Sequence, residues 1–307
     1  MDRFKQLETF ASVAHRGSLS AAALAEGVAP AIIGRRLDAL EARLGVKLMV
    51  RTTRRLTLTF EGVAFLEHCQ RILNDMQNAE ASVSAGGVKA SGHLRVTAPA
   101  GFGRRHVAPL LPAYLDSHPD VTVSLDLTDR LVDIVNEGID LAVRIGRLND
   151  SSLVGVKLAD NRRVVVASPA YLRRRGTPDT PDALASHDCL SFGSYGNQQR
   201  GWQFVVDGEP VSIRVGGPLE CNDGTVLHAW ALAGRGLAWR SMWEVGDELA
   251  SGRLVTVLDA FAAPANAIYA VFPQRRHLPL RVRTFVDHLK NTYGNASYWS
   301  GGAKAAA

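Results

Sequence analysis

Hydrophobic positions near the N-terminus follow a helical period. Residues 17–45 read GSLSAAALAEGVAPAIIGRRLDALEARLG. An Ala-rich amphipathic segment from Leu19 to Ala25 breaks at Gly27. Beyond it Ile33, Leu37, Leu40 and Leu44 fall four, three and four residues apart, which puts four apolar groups on one helical face. Two short helices joined by a tight Gly-containing turn predict a helix-turn-helix. The opposite face of the second helix carries Gly34, Arg35 and Asp38, with Arg36 nearby. In the next stretch, LMVRTTRRLTLTFEG (48–62), Leu48, Met49 and Val50 suit a buried strand start. Arg51, Thr52, Arg54 and Arg55 suit an exposed basic hairpin, or wing. From Phe60 to Ser84 there is no Pro and only Gly62. Leu66, Cys69, Leu73, Met76, Glu80 and Val83 there alternate in steps of three and four, a heptad seam on one long helix. Such a seam fits a helix that pairs with its twin, and equally one packed on its own domain. AGGVKASG (85–92) reads as a hinge.

After the hinge the period alternates between strand and helix. HLRVTA (93–98) is a predicted strand, followed by a helix over 104–117 that ends before Pro119. VTVSLDL (121–127) predicts a strand, RLVDIVNEG (130–138) a helix and IDLAVRI (139–145) a strand. That βαβαβ run predicts an α/β domain with a doubly wound parallel sheet. RRVVVAS (162–168) opens a second such unit, with helices at 169–175 and 223–233. The chain returns through AIYAVF (267–272) to a last helix at 279–292. A chain that leaves one α/β lobe, builds another and comes back gives two lobes with a cleft between. The tail NASYWSGGAKAAA is expected to be disordered.

Charge sharpens the reading of the N-terminal module. Between Arg35 and Thr59 stand seven Lys or Arg against two acids, a local excess as large as the whole chain's formal charge of +5. Basic charge concentrated beside a helix-turn-helix is the electrostatic footprint of a DNA-binding protein. An arginine on the second helix can reach guanine edges or a phosphate. At 307 residues two domains are expected. With 46% hydrophobic and 21% charged residues, composition is that of a globular protein. No secretory signal and no run long enough to cross a bilayer is visible, so a cytoplasmic protein with no membrane partner is expected. The three cysteines, Cys69, Cys189 and Cys221, are widely spaced, and the nine histidines are scattered. Neither set has ligand spacing, so neither a metal nor another cofactor is expected.

The stretch FASVAHRGSLSAAA from Phe10, continued by VAPAIIGRRLDALEARLGVKLMVRTTRRLTLT, resembles the LysR-type transcriptional regulators. DLAVRIG, VVVASPAYL, GGPLECNDG, GRGLAWRS, GRLVTVL and VFPQRRHLPLRVRTFVDHL continue the resemblance in order over nearly the whole chain. It is similar to the subgroup whose recognition helix opens with Pro. The resemblance implies a winged helix-turn-helix (1–59), a dimerisation helix and hinge (60–90) and a periplasmic-binding-protein-like effector domain (91–294). Lobe I would hold 91–161 and 267–294, and lobe II 162–266. It further implies a homodimer or homotetramer on a pseudo-palindromic double-stranded DNA site, with Leu66, Cys69, Leu73, Met76 and Val83 in the dimer seam. A small-molecule effector, with a carboxylate as one candidate class, would tune promoter binding and contact with RNA polymerase.

The implied DNA-binding set is Ser18, Ser20, Pro30, Ala31, Gly34, Arg35, Arg36, Arg51, Thr52, Arg54 and Arg55. Where the family usually has Ser, this chain has Ala29 and Gly34, which removes hydroxyls that would meet DNA. Arg35 is therefore expected to read bases, with Arg36 and the wing arginines on phosphates. For the effector, the rule that ligands sit beyond the carboxyl ends of strands selects Ala100, Gly101, Phe102, Thr128, Arg144 and Gly146 from lobe I. Backbone amides at 100–102 would hold an anion. Trp202, Asn222, Asp223, Thr225 and Trp239 come from lobe II. Asn222 and Asp223 serve equally well as helix caps, Trp202 as core, and Arg144 as partner of a neighbouring acid. Trp239-Arg240 stands where related sequences tend to have Leu-Pro, which suggests a pocket particular to this chain.

A regulator has no catalytic residues. The competing enzyme reading is an NAD(P)-dependent oxidoreductase using the Gly101–Gly103 turn, but His106 occupies the third glycine's place. A serine hydrolase lacks the G-x-S-x-G spacing in Gly193-Ser194-Tyr195-Gly196. A purely architectural DNA binder leaves the α/β part unexplained.

Overall fold

In a computed structural model the described residues are 2–51, 56–83, 89–130, 132–146, 153–193, 201–274 and 278–299. The chain divides into two compact units, Met1–Val88 and Lys89–Ala307.

The first unit opens with helices α1 (Arg3–Arg16), α2 (Leu19–Glu26) and α3 (Pro30–Leu44). Ser18 caps α2 by accepting a hydrogen bond from the Ala21 amide. Gly27 ends α2 at φ 65°, a left-handed conformation that an L side chain resists, and the chain turns there into α3. Ala29 gives α3 no side-chain cap, and Pro30 fills its first turn. Ile33, Leu37 and Leu40 are buried together with Phe10, Val13, Ala22 and Ala23. Strands β1 (Met49–Arg51) and β2 (Leu56–Leu58) pair antiparallel, Met49 opposite Leu58. Thr52, Arg54 and Arg55 lie outside the described residues.

Helix α4 (Phe60–Val83) follows. The expected seam is corrected in its first half. Cys69 is fully buried and Leu66 packs beside it in the unit's own core, because this half of α4 lies against α1, with Phe65 5.6 Å from Phe10 between ring centroids. Farther on, Leu73 is half-buried, and Ile72 and Met76 are exposed.

The second unit begins earlier than the expected hinge allows. Lys89 pairs with Asp120, Ala90 is buried in this unit's core, and β3 starts at Gly92. Strand β3 (Gly92–Ala98) leads into α5 (Ala100–Phe102), a π-helical turn (Gly103–Val107) and α6 (Leu111–Ser117). Strands β4 (Val121–Leu127), β5 (Leu141–Ile145) and β6 (Leu153–Asn161) complete the outward path. Lobe II holds β7 (Arg163–Ala167), α7 (Pro169–Arg175), β8 (Ser191–Phe192), β9 (Trp202–Val206), β10 (Glu209–Ile213), β11 (Glu220–Cys221), α8 (Gly224–Leu232), β12 (Ala238–Ser241), α9 (Met242–Ala250) and β13 (Val255–Val257). Strand β14 (Asn266–Pro273) returns to lobe I, followed by α10 (Leu280–Tyr293) and α11 (Ala296–Trp299).

Lobe I's sheet has the order β4-β3-β5-β14-β6. It is parallel across β4-β3-β5 and antiparallel where β14 joins β5 and β6, so the doubly wound expectation holds only for its first three strands. In lobe II the expected parallel unit is corrected. Strands β12 and β13 both run antiparallel to β7 and flank it. Strands β12 and β13 are thus parallel to each other, joined through α9 and separated by β7, and β8 pairs parallel with β11.

The expected helix over 130–138 is a turn at 134–138. Asp133 accepts from the Asn136 amide (2.9 Å) and Arg130 pairs with Glu137 (2.5 Å), local bonds that compete with a helix. The tail is also corrected at its start, since residues 296–299 form α11, with Trp299 donating to the Tyr293 carbonyl (2.8 Å).

Candidate DNA-binding face and interlobe cleft

On α3 the two arginines separate. Arg35 is exposed, as are Pro30, Ala31 and Asp38, and Ser20 is exposed on α2. Gly34 has open space where a Cβ would project. Arg36 instead points into its own unit, donating to Glu26 (2.7 Å) and to the Thr9 hydroxyl (3.2 Å). Its expected place on phosphate is corrected, because a half-buried guanidinium already held by a carboxylate loses that pair on turning outward. Ser18 is likewise taken up in capping α2.

Glu41, near the end of α3, fastens the wing. Its buried carboxylate accepts from the Leu48 amide (3.0 Å), the Met49 amide (3.1 Å) and Lys47 (2.6 Å). Burial alone would raise its pKa, but these donors outweigh burial and lower it.

In the second unit a cavity of about 270 Å³ opens between the lobes. Gly101, Arg104 and Arg105 line it from lobe I, and Thr225, His228, Trp243 and Glu244 from lobe II. Of the expected effector residues, only Gly101 and Thr225 line this cavity. Arg104 donates to the Thr225 hydroxyl (2.9 Å). Among the described residues no carboxylate lies within ion-pair distance of Arg104, although Asp129 and Asp223 are near enough to feel its charge. The other cleft arginines are paired. Arg105 donates to the Glu244 carbonyl (3.0 Å) and to Asp247 (2.9 Å). Arg240, buried, donates to the Gly224 carbonyl (3.0 Å) and pairs with Glu244. His228 sits 3.5 Å from Glu248, which Arg253 also holds.

The remaining expected residues have other uses. The Ala100 amide donates to Asp129 (3.1 Å), so the expected anion site at residue 100 is filled by the chain's own carboxylate. Burial raises the Asp129 pKa, with Asp223 adding to the rise. Phe102 is fully buried in lobe I's core and Trp202 in lobe II's, so neither offers a face to the cleft. Asp223 caps α8 through the Thr225 (2.7 Å) and Val226 (3.4 Å) amides, and Asn222 beside it is exposed. Trp239 carries the Arg163 guanidinium 3.7 Å above its ring and packs on lobe II's core. Thr128 accepts from the Arg130 amide, and Gly146 donates to the Ala267 carbonyl. Arg144 has no acid partner among the described residues. Its Nη1 donates to the neighbouring Val143 carbonyl, and its buried Nη2 has no partner.

Sequence reasoning missed Arg104, Arg105, His228, Trp243 and Glu244. Gly101 to His106 did stand out as a motif, but for the wrong chemistry. Gly103 is there because a Cβ would lie 2.2 Å from Leu127, and His106 is buried among aromatic rings instead of making room for a dinucleotide.

Residues 4–63 match the family described as bacterial regulatory helix-turn-helix protein, lysR family, and residues 88–294 match the LysR substrate binding domain. The chain belongs to the LysR family. It is a DNA-binding transcriptional regulator with an effector-binding domain. It is 39% identical to the HTH-type transcriptional regulator DmlR of Escherichia coli K12 over 94% of this chain and 93% of that one. It is 33% identical to the transcriptional activator TtdR of the same strain, over 93% and 92%. The solved structure of CrgA, a LysR-type regulator from Neisseria meningitidis, matches at 32% identity and TM-score 0.59, over 95% of this chain and 99% of that chain. The full-length Vibrio cholerae virulence activator AphB matches at 27% identity and TM-score 0.60, over 95% and 100%. Among the described residues no helix is long and apolar enough to cross a membrane.

Proposed function

We propose that this LysR-family regulator is a cytoplasmic, non-catalytic switch whose promoter binding responds to a small anionic effector, a carboxylate, held between the lobes. The observation that carries this reading is the unpaired charge of Arg104. Its guanidinium lines the cavity, bridges to Thr225 of the other lobe and has no carboxylate partner among the described residues. A carboxylate there would complete a charge-assisted pair and tie both lobes to one ligand. An effector shifts the regulator only through unequal affinity for two lobe arrangements, and a ligand that touches both lobes has that property.

On DNA, Arg35 reads base edges, Ser20, Pro30, Ala31 and Gly34 form the surrounding contact face, and Arg51, Arg54, Arg55 and Thr52 meet phosphates. The protein acts as a homodimer or homotetramer on a pseudo-palindromic site. The far half of α4, with Ile72 and Met76 exposed, pairs with its twin beyond the region where Leu66 and Cys69 are used internally. Effector-driven change in the oligomer alters its contact with RNA polymerase.

The test is a thermal-shift screen of the full chain against small carboxylates, with Arg104→Gln alongside. A ligand at ~100 times its dissociation constant stabilises the native state by about 2.7 kcal/mol. A carboxylate is expected to stabilise the intact chain, and Arg104→Gln to abolish that effect. A ligand that stabilises both chains equally would refute the assignment.

A further inference from the structure

The π-helical turn Gly103–Val107 sends consecutive side chains to different parts of the domain. Such turns re-aim the residues they contain and recur at functional sites. Gly103 is pressed against β3 and the end of β4, its would-be Cβ 3.0 Å from Ala98 and 2.2 Å from Leu127. Arg104 and Arg105 reach into lobe II, to Thr225 and to Glu244 and Asp247. His106 turns back into lobe I, where it is 5% exposed.

His106 is packed between Phe102, with ring centroids 4.9 Å apart, and the chain's C-terminal segment. Its Nδ1 lies 3.0 Å from the Tyr298 hydroxyl, and the Trp299 ring centroid is 5.2 Å from its own. The Tyr293 hydroxyl donates to the His106 carbonyl (2.6 Å), and Trp299 donates to the Tyr293 carbonyl (2.8 Å). The imidazole also meets Trp243 in a T-shaped contact, ring centroids 5.4 Å apart, and Trp243 meets Phe102 at 5.2 Å. Trp243 belongs to α9, the lobe II helix whose Glu244 and Asp247 receive Arg105. A continuous set of contacts thus runs from α11 through His106 to the element that bridges the lobes.

We infer that α11 is a positioning element for the cleft: Tyr298 and Trp299 hold His106, and His106 holds the π turn so that Arg104 and Arg105 span to lobe II. These residues touch no effector, and they act by fixing the lobe arrangement from which effector binding starts. Their bearing on effector response rests on the function proposed above, whereas the mechanical coupling does not.

Hydrogen–deuterium exchange on the full chain tests it. The comparison set is chains ended after Gly294 and after Trp299, together with Trp299→Ala and Tyr298→Phe. The chain ended after Gly294 and Trp299→Ala are expected to exchange about tenfold faster over 103–107 and 242–250, while 92–98 and 141–145 keep their protection. Tyr298→Phe removes one hydroxyl and gives a smaller increase in the same two segments. The chain ended after Trp299 behaves as the intact one. Unchanged exchange at 242–250 in Trp299→Ala and Tyr298→Phe would overturn the inference. So would loss of protection spread evenly into 92–98 and 141–145, or the same effect from ending the chain after Trp299. If the coupling is seen but no carboxylate binds through Arg104, the positioning role stands and the effector assignment falls.

Discussion

The recognition helix and the interlobe cleft both present arginines in neighbouring positions, yet the two regions use them differently. On α3 the arginines separate by direction, Arg36 inward to Glu26 and Arg35 outward. In the cleft they separate by partner. Arg105 and Arg240 are paired with acids, Arg104 with a hydroxyl alone. A surface that binds a polyanion needs charges without local partners, spread over a large area. In the cleft one exposed guanidinium, that of Arg104, is held by a hydroxyl alone beside arginines already matched by acids, which leaves it free to take an anionic group.

Acid separates the two regions most strongly. Burial, with Arg105 adding to it, pushes the His106 pKa down to about 4, from an ordinary 6.5. The unfolded chain therefore binds a proton between those values that the folded chain refuses. His106 costs the effector unit nothing above about pH 6.5, and stability drains as pH falls from there to about 4, by ~3 kcal/mol in all. Thermal melts across this range should show that loss, and His106→Gln should remove it. A pH-independent wild-type melt would contradict the burial argument. Glu41 behaves in the same direction but lower on the pH scale. Its lowered pKa stabilises the first unit above the ordinary carboxylate range, and that contribution is lost as pH falls through the folded value. Glu41→Ala leaves the buried Leu48 and Met49 amides without their acceptor and should cost about 2 kcal/mol by chemical denaturation.

The first unit was the more legible in the sequence, because its signals are local. Gly27, Pro30 and the spacing of Ile33, Leu37 and Leu40 each act within a few residues. The seam on α4 was half misread, since periodicity shows that Cys69 faces something apolar but not whether that is a twin or the domain itself. The cleft was poorly legible. Arg105 and Asp247 stand 142 positions apart, and no spacing rule joins them. Arg130–Glu137 and Asp133–Asn136 defeated a helix that hydrophobic pattern alone supported. The aromatic residues of α11 were read as part of a disordered tail because their partner, His106, lies 192 positions from Tyr298.

Smaller effects sharpen the contrast on α3. Arg36→Ala should lower the first unit's stability by about 1 kcal/mol and leave base preference intact, read by melting and by competition binding. Gly34→Ala fills open space in a helix interior and should stabilise that unit by up to ~1 kcal/mol. A destabilised Gly34→Ala would contradict the open space seen at that position.

The most direct measurement is selection of random duplex DNA by the full chain and by Arg35→Ala, at fixed salt. The intact chain is expected to enrich a pseudo-palindrome with guanines in each half-site. Arg35→Ala should lose those guanines, at ~1–3 kcal/mol of discrimination for each contact, while keeping salt-dependent affinity. Enrichment of the same sequence by both chains, or of none by the intact chain, would contradict base reading by Arg35.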